Sequence, residues 1–205
     1  MAGTVRVSVP ATSANLGVGF DVLGLALDLA AEFSFEPTDT LKIDGCAPEL
    51  AGEDNLVWTS YLCGCREFGL EPQPLHITES CTIPSSGGLG SSSTCVVAGI
   101  AAAQALAGLP LDRERTLSLA TAIEGHPDNV APAVMGGLVS SYVEDATTVT
   151  TRWVGCRQPA IRLHGSTLPR PHPRRPPGAS RHGSNKHRLL AGGPLPRHGE
   201  RHGQG

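Results

Sequence analysis

The sequence predicts an α+β domain over residues 1–151, followed by a tail of different character at 152–205. Three observations carry that expectation. Short segments alternate apolar and polar residues, the period of a half-buried strand. Longer segments repeat apolar residues at helical spacing, between residues that start and stop helices. One glycine- and serine-rich run, Ile83 to Thr94, joins a segment of the first kind to one of the second.

The elements follow in order. Val5-Arg6-Val7-Ser8-Val9 alternates and reads as a first strand, which Pro10 is expected to end. Residues 10–21 then form a loop of small residues. Leu23 to Phe35 is apolar and closes on the alternating Phe33-Ser34-Phe35-Glu36, so it reads as strand paired with the first. Pro37-Thr38-Asp39 is a turn, and Leu41-Lys42-Ile43 a short strand. Asp54-Asn55 opens a helix carrying Leu56, Val57, Tyr61, Cys65 and Phe68, and Gly69 closes it. Trp58 and Tyr61 read as packing residues. Leu75, Ile77, Cys81 and Ile83 alternate into another strand. Val96, Val97, Ile100, Ala101, Ala103 and Leu106 make a helix that runs to Gly108. Asp112 caps the next helix, with Glu114 in the first turn, where the helix dipole favours it. Leu117, Ala120 and Ile123 are its apolar stripe. Gly136-Gly137 turns the chain into a strand over Leu138–Val143.

The run Pro84-Ser85-Ser86-Gly87-Gly88-Leu89-Gly90-Ser91-Ser92-Ser93-Thr94 therefore reads as strand, glycine loop and helix N-terminus. That geometry turns free backbone N–H groups toward one point, with the positive helix end behind them, and such a point binds phosphate. The glycines allow close approach, and the serines add hydroxyls for phosphate oxygens or a magnesium ion. Two commoner phosphate loops do not fit. No Lys precedes a Ser or Thr, as a P-loop needs, and the third glycine of a dinucleotide fingerprint is replaced by Ser93. The bland alternative is a loop whose serines only cap a helix.

Two polar clusters flank this run. In Pro10-Ala11-Thr12-Ser13-Ala14-Asn15-Leu16-Gly17-Val18-Gly19-Phe20-Asp21, Asn15 and Asp21 are the strongest polar groups and suit a zwitterionic substrate. They serve equally as turn and cap residues. In Glu124-Gly125-His126-Pro127-Asp128-Asn129-Val130-Ala131-Pro132, four functional side chains fall within six residues. Asp128 could cap a following helix and His126 could be a satisfied loop histidine. A Ser-His-Asp hydrolase is a rival, but the nucleophile elbow Gly-x-Ser-x-Gly is missing and His126 and Asp128 stand two apart. A metal pair is a third reading, short of ligands.

All three stretches resemble one family. Pro84-x-x-x-Gly88-Leu89-Gly90-Ser91-Ser92 is similar to the ATP loop of the GHMP small-molecule kinases, and the two flanking motifs resemble those of homoserine kinases, over about residues 4–145. The resemblance implies a mixed sheet with helices packed on one side, a ribosomal-protein-like fold. It implies ATP-dependent phosphorylation of L-homoserine on the threonine pathway, with Mg²⁺, in the cytoplasm. Residues 84–94 would hold ATP. Ser92 and Glu124 would hold the metal, although some members place the acidic residue where this chain has Ala122. Asn15, Asp21, His126 and Asn129 would orient the substrate, and Ser92, Glu124 and His126 would act in catalysis. Homodimers are usual in the family. Another GHMP kinase, such as one for mevalonate, is the alternative within it.

Composition separates the tail. Residues 1–151 hold 5 Lys+Arg against 18 Asp+Glu, a net −13, and residues 152–205 hold 11 against 1, a net +10, which together give the chain's −3. The tail carries eight prolines and six of the eight histidines and has lost periodicity, so disorder is expected. Runs of Arg, Pro, His and Gly are what GC-rich DNA yields out of frame, and a frame change near residue 155 is the expectation, with impaired activity as its consequence. Nucleic-acid binding by the basic tail has little support, since Trp153 is its only aromatic residue. Six cysteines without metal-site spacing read as free, buried thiols in a reducing compartment. No apolar run reaches the ~18 residues of a membrane span.

Overall fold

The structure, a computed structural model, describes residues 3–84, 87–145, 147–153 and 160–165. Its strands are β1 (Val5–Leu16), β2 (Gly19–Pro37), β3 (Lys42–Asp44), β4 (Leu75–Cys81), β5 (Leu138–Glu144), β6 (Thr147–Trp153) and β7 (Arg162–Gly165). Its helices are α1 (Leu56–Phe68), α2 (Ser91–Leu106), α3 (Arg113–Glu124) and α4 (Val130–Met135). The strands form one mixed sheet in the order β3-β4-β2-β1-β7, with β5 pairing β2 and carrying β6. Only β3 and β4 run parallel among the described strands. The helices cover one side of this sheet, as the resemblance implies.

β2 is the spine. Over its 19 residues its late half pairs β4 from Ala31 to Pro37, and its early half pairs β5 from Leu23 to Leu25. β1 follows it along nearly the whole length, from Val5↔Phe35 to Leu16↔Gly19. Val5, Val7 and Val9 alternate inward with Phe33 and Phe35 across from them, all buried. Pro10 does not end β1. It pairs with Ala30, and the ladder shifts register between Pro10 and Thr12. A bulge tolerates a residue that cannot donate to the ladder, so the stretch expected as a loop is the continuation of a hairpin.

α2 lies at the centre of the helical layer, and 13 of its 16 residues are buried. That burial explains a composition that is apolar all round rather than striped. α1 crosses it at close range. A Cβ added at Gly99 would meet Val57 O at 2.3 Å, and one added at Gly64 would meet Ala103 Cβ at 3.0 Å. α1 is capped by Asn55, whose Oδ1 accepts from Val57 N–H at 2.8 Å and Trp58 N–H at 3.2 Å. It ends on Gly69 in the left-handed conformation. Trp58 stacks on Tyr61 at 5.4 Å within the packing, as expected. Asp112 caps α3 through Arg115 N–H at 3.1 Å.

The boundary drawn from composition at residue 151 falls inside β6, which runs to Trp153. Beyond it, β7 pairs antiparallel with β1, His164 opposite Arg6, and Ile161 is 3% exposed. Four pairable residues and one buried apolar side chain are enough for an edge strand, too little to register in composition. The disorder expected of the rest of the tail, and the frame change near 155, concern residues outside those described. Of the cysteines, Cys46, Cys63, Cys65, Cys81 and Cys95 are free as expected; Cys65 is buried, but Cys81 is exposed.

Candidate active site

The site is built where three elements meet: the tip of the β1–β2 hairpin, the glycine loop before α2, and the loop before α4. Gly90 takes the N-cap position of α2 at φ +67, with no side chain capping the helix. The first helical N–H groups, at Ser91, Ser92 and Ser93, have no acceptor among the described residues. They stand at the positive end of a 16-residue helix. Pro84, Gly87, Gly88 and Ser92 are exposed and Leu89, Gly90 and Ser91 half-buried. Ser93 and Thr94 are buried, and Thr94 Oγ1 donates to Ser91 O at 2.7 Å, so its hydroxyl is committed inside the helix. Ser85 and Ser86 lie outside the described residues.

α3 delivers Glu124 at its C-terminus, just before Gly125 takes φ +90 and turns the chain. Glu124 reaches across to α2, where Ser92 Oγ donates to Glu124 Oε2 at 3.2 Å. The pair is exposed at the helix N-terminus. A hydroxyl beside a carboxylate suits a hard cation that takes its remaining ligands from phosphate and water. Among the described residues no three His, Cys, Asp or Glu side chains gather as a self-sufficient metal site.

The substrate-facing candidates form one hydrogen-bonded group around Asp128, whose side chain is 2% exposed. Asp128 Oδ1 lies 2.5 Å from His126 Nδ1 and accepts from Asn129 N–H at 2.9 Å. Asp128 Oδ2 accepts from Asn15 Nδ2 at 3.4 Å. The buried carboxylate holds the Nδ1 edge of His126 and leaves Nε2 on the half-exposed side of the ring. Asn15 is at φ +58 and Asp21 at φ +53, left-handed values that cost a side-chain-bearing residue about 1 kcal/mol or more. Asn15 Oδ1 accepts from Asp21 N–H at 2.9 Å, which holds both strained residues in place. The Asp21 side chain is exposed at the hairpin tip.

The glycine loop is tied to this group by Thr12. Thr12 N–H donates to Leu89 O at 3.0 Å, and Thr12 Oγ1 donates to Asn129 Oδ1 at 2.8 Å. Sequence reasoning passed over Thr12, and it weighed Asp128 only as a cap, a triad member or a metal ligand, not as the brace of this group. Both stand inside the quoted motifs, and both are almost fully buried. The two-residue spacing of His126 and Asp128 counts against a catalytic triad, yet it is the spacing that lets the aspartate brace the histidine. Cys95, one turn into α2, is an inert thiol, since burial pushes it up to about 12.

Residues 55–137 match the family model described as the GHMP kinases N terminal domain. Over those residues the chain is similar to the N-terminal domain of the GHMP kinases. Its homologues are homoserine kinases: 49% identity over 138 residues to one from Thermus thermophilus, covering 66% of this chain and 47% of that protein. The homoserine kinase of Clostridium beijerinckii is 44% identical over 146 residues, covering 70% and 49%. The crystal structure of homoserine kinase from Cytophaga hutchinsonii superposes with a TM-score of 0.65 at 32% identity, over 74% of this chain and 52% of that one. A mevalonate kinase, at 17% identity and a TM-score of 0.58, shares the fold alone. The chain spans about half the length of the curated relatives it matches.

Proposed function

We propose that the site serves the phosphorylation of L-homoserine by ATP, giving O-phospho-L-homoserine and ADP for threonine biosynthesis in the cytoplasm. One observation carries this reading. Thr12 and Asp128 bond the glycine loop and the Asn15–His126–Asn129 group into one assembly, and the Ser92–Glu124 pair stands at the helix N-terminus that directly follows that loop.

In this reading residues 84–94 cradle the triphosphate on backbone N–H groups at the N-terminus of α2. Ser92 and Glu124 hold Mg²⁺, which supplies neutralisation of the phosphate charge. Asp21 faces the substrate ammonium, and Asn15 and His126 fix its orientation. Phosphoryl transfer asks a protein chiefly for alignment and charge stabilisation, and no strong base is needed beside the accepting hydroxyl. The arrangement fits that demand, with Ser92 and Glu124 paired at the N-terminus of α2 and His126 held by Asp128.

The test is ADP release from purified protein, measured with ATP and Mg²⁺ in the presence and absence of L-homoserine, with mevalonate as the control alcohol. Turnover that depends on homoserine and falls at least ~100-fold in Glu124→Ala supports the reading. ADP release that mevalonate stimulates and L-homoserine does not overturns it.

A further inference from the structure

We propose that Asp128 is a positioning residue, which keeps the proton of neutral His126 on Nδ1 and so leaves Nε2 as a bare acceptor for a hydrogen-bond donor on the substrate. That the donor belongs to a substrate rests on the reading of the site given above; where the proton sits does not. Two donors in this group are backbone N–H groups, which cannot act as acceptors. Asp21 N–H donates to Asn15 Oδ1 at 2.9 Å, and this turns the other end of the amide, Nδ2, toward Asp128 Oδ2 at 3.4 Å. Asn129 N–H donates to Asp128 Oδ1 at 2.9 Å. Both oxygens of Asp128 are therefore met by groups that donate.

The same Oδ1 lies 2.5 Å from His126 Nδ1, and the Asp128 side chain is 2% exposed, so little water competes for it. An ionised carboxylate only accepts, and imidazole is the stronger base of the two, so the proton between them belongs to Nδ1. A neutral imidazole holds one proton, and the hydrogen bond made by one nitrogen decides which of the two carries it. Nε2 is then left with its lone pair. Among the described residues it has no partner, and the His126 side chain is 49% exposed. An unrestrained neutral histidine carries its proton more often on Nε2 and would offer the site a donor. Braced by Asp128, the ring offers an acceptor instead. It takes a hydroxyl or ammonium hydrogen and turns away a carboxylate oxygen.

The experiment records proton–nitrogen correlation spectra of the imidazole rings in the isotope-labelled full chain, at an alkaline pH where the rings are neutral. His126 is identified by the signals lost in His126→Gln. The parent is expected to hold the His126 proton on Nδ1. Asp128→Ala removes the brace and is expected to reverse the preference to Nε2. Asn15→Ala leaves the carboxylate facing the ring and is expected to keep the proton on Nδ1. A parent ring protonated on Nε2 overturns the proposal, and so does an Asp128→Ala ring still protonated on Nδ1. Should Asp128→Ala fail to fold, the parent spectrum decides alone. Adding L-homoserine to the parent is expected to shift the Nε2 signal as that nitrogen accepts a hydrogen bond. An Nε2 signal that stays in place while other residues of the site respond overturns its role toward the substrate. If nothing in the site responds to L-homoserine, the homoserine reading falls and that role with it, while the place of the proton is decided by the spectra without ligand.

Discussion

Gly90→Ala tests the joint between the glycine loop and the hairpin. Two costs add at this position. The backbone sits at φ +67, where a side chain costs about 1–2 kcal/mol. The new Cβ would stand 2.1 Å from Thr12 Oγ1, a distance that forces a shift in a buried side chain held by its own hydrogen bond. Overpacking of that kind costs about 1–3 kcal/mol. The sum is about 2–5 kcal/mol, or roughly 5–15 °C in melting temperature for a domain of this size. Gly88→Ala is the matched control. Its φ is +69, and a Cβ there meets nothing within 4 Å, so only the backbone cost applies. Thr12→Ala removes the clashing oxygen and leaves Asn129 Oδ1 at 3.1 Å and the Thr12 Cβ at 3.4 Å, contacts that a shift of a few tenths of an ångström relieves. In that background the cost of Gly90→Ala should fall most of the way to that of Gly88→Ala. Thermal unfolding of the four variants measures all of this. Equal losses for Gly88→Ala and Gly90→Ala in the parent, or no relief from Thr12→Ala, would refute the reasoning, because the contact with Thr12 would then not determine the need for glycine.

Other perturbations follow from the same structure. Asn55→Ala removes a cap shared by two N–H groups and the 2.9 Å donor to Glu79 Oε1; a loss of about 1–2 kcal/mol in a urea titration is expected, and a neutral result would contradict the cap. Burial raises Glu79 above its ordinary value, with the Asn55 hydrogen bond partly opposing the rise. The folded state therefore keeps that proton to higher pH than the unfolded chain does. Its contribution is full below the unfolded value and is lost as pH climbs through the raised one. Glu79→Gln should gain melting temperature over the parent as pH rises toward neutrality, and a gap that stays constant with pH would contradict the shift. Asp128→Ala leaves Asn129 N–H, Asn15 Nδ2 and His126 Nδ1 without their acceptor; about 1–3 kcal/mol of stability should go, read by denaturant unfolding.

Most of the domain was legible because its helices announce their ends. Asn55, Gly69, Asp112 and Gly125 are caps whose chemistry is local, and each stands where the sequence places it. The candidate site was legible as three separate stretches, each dense in small or polar residues. What joins them was not. Thr12 is one small residue among several in its run, and its role comes from being pressed between Leu89 and Asn129, a contact across 117 positions of chain. The length of β1 was hidden by Pro10, since a bulge is a property of two strands together. β6 and β7 were hidden by composition. Thr147 to Trp153 lacks the alternation of a half-buried strand because most of its side chains stay in solvent, and β7 is four residues at an edge.

The continuity of β2 has a consequence for motion. The residues that would face an amino acid are at one end of a strand whose other end is the middle of the sheet. A hairpin of that kind has no hinge of its own. Amide protons near Leu23 to Leu25, flanked by β1 and β5, should exchange with solvent nearly as slowly as those of Phe33 and Phe35. Swapping one substrate for another would then depend on the freedom of the glycine loop opposite, with the strand acting as a fixed wall.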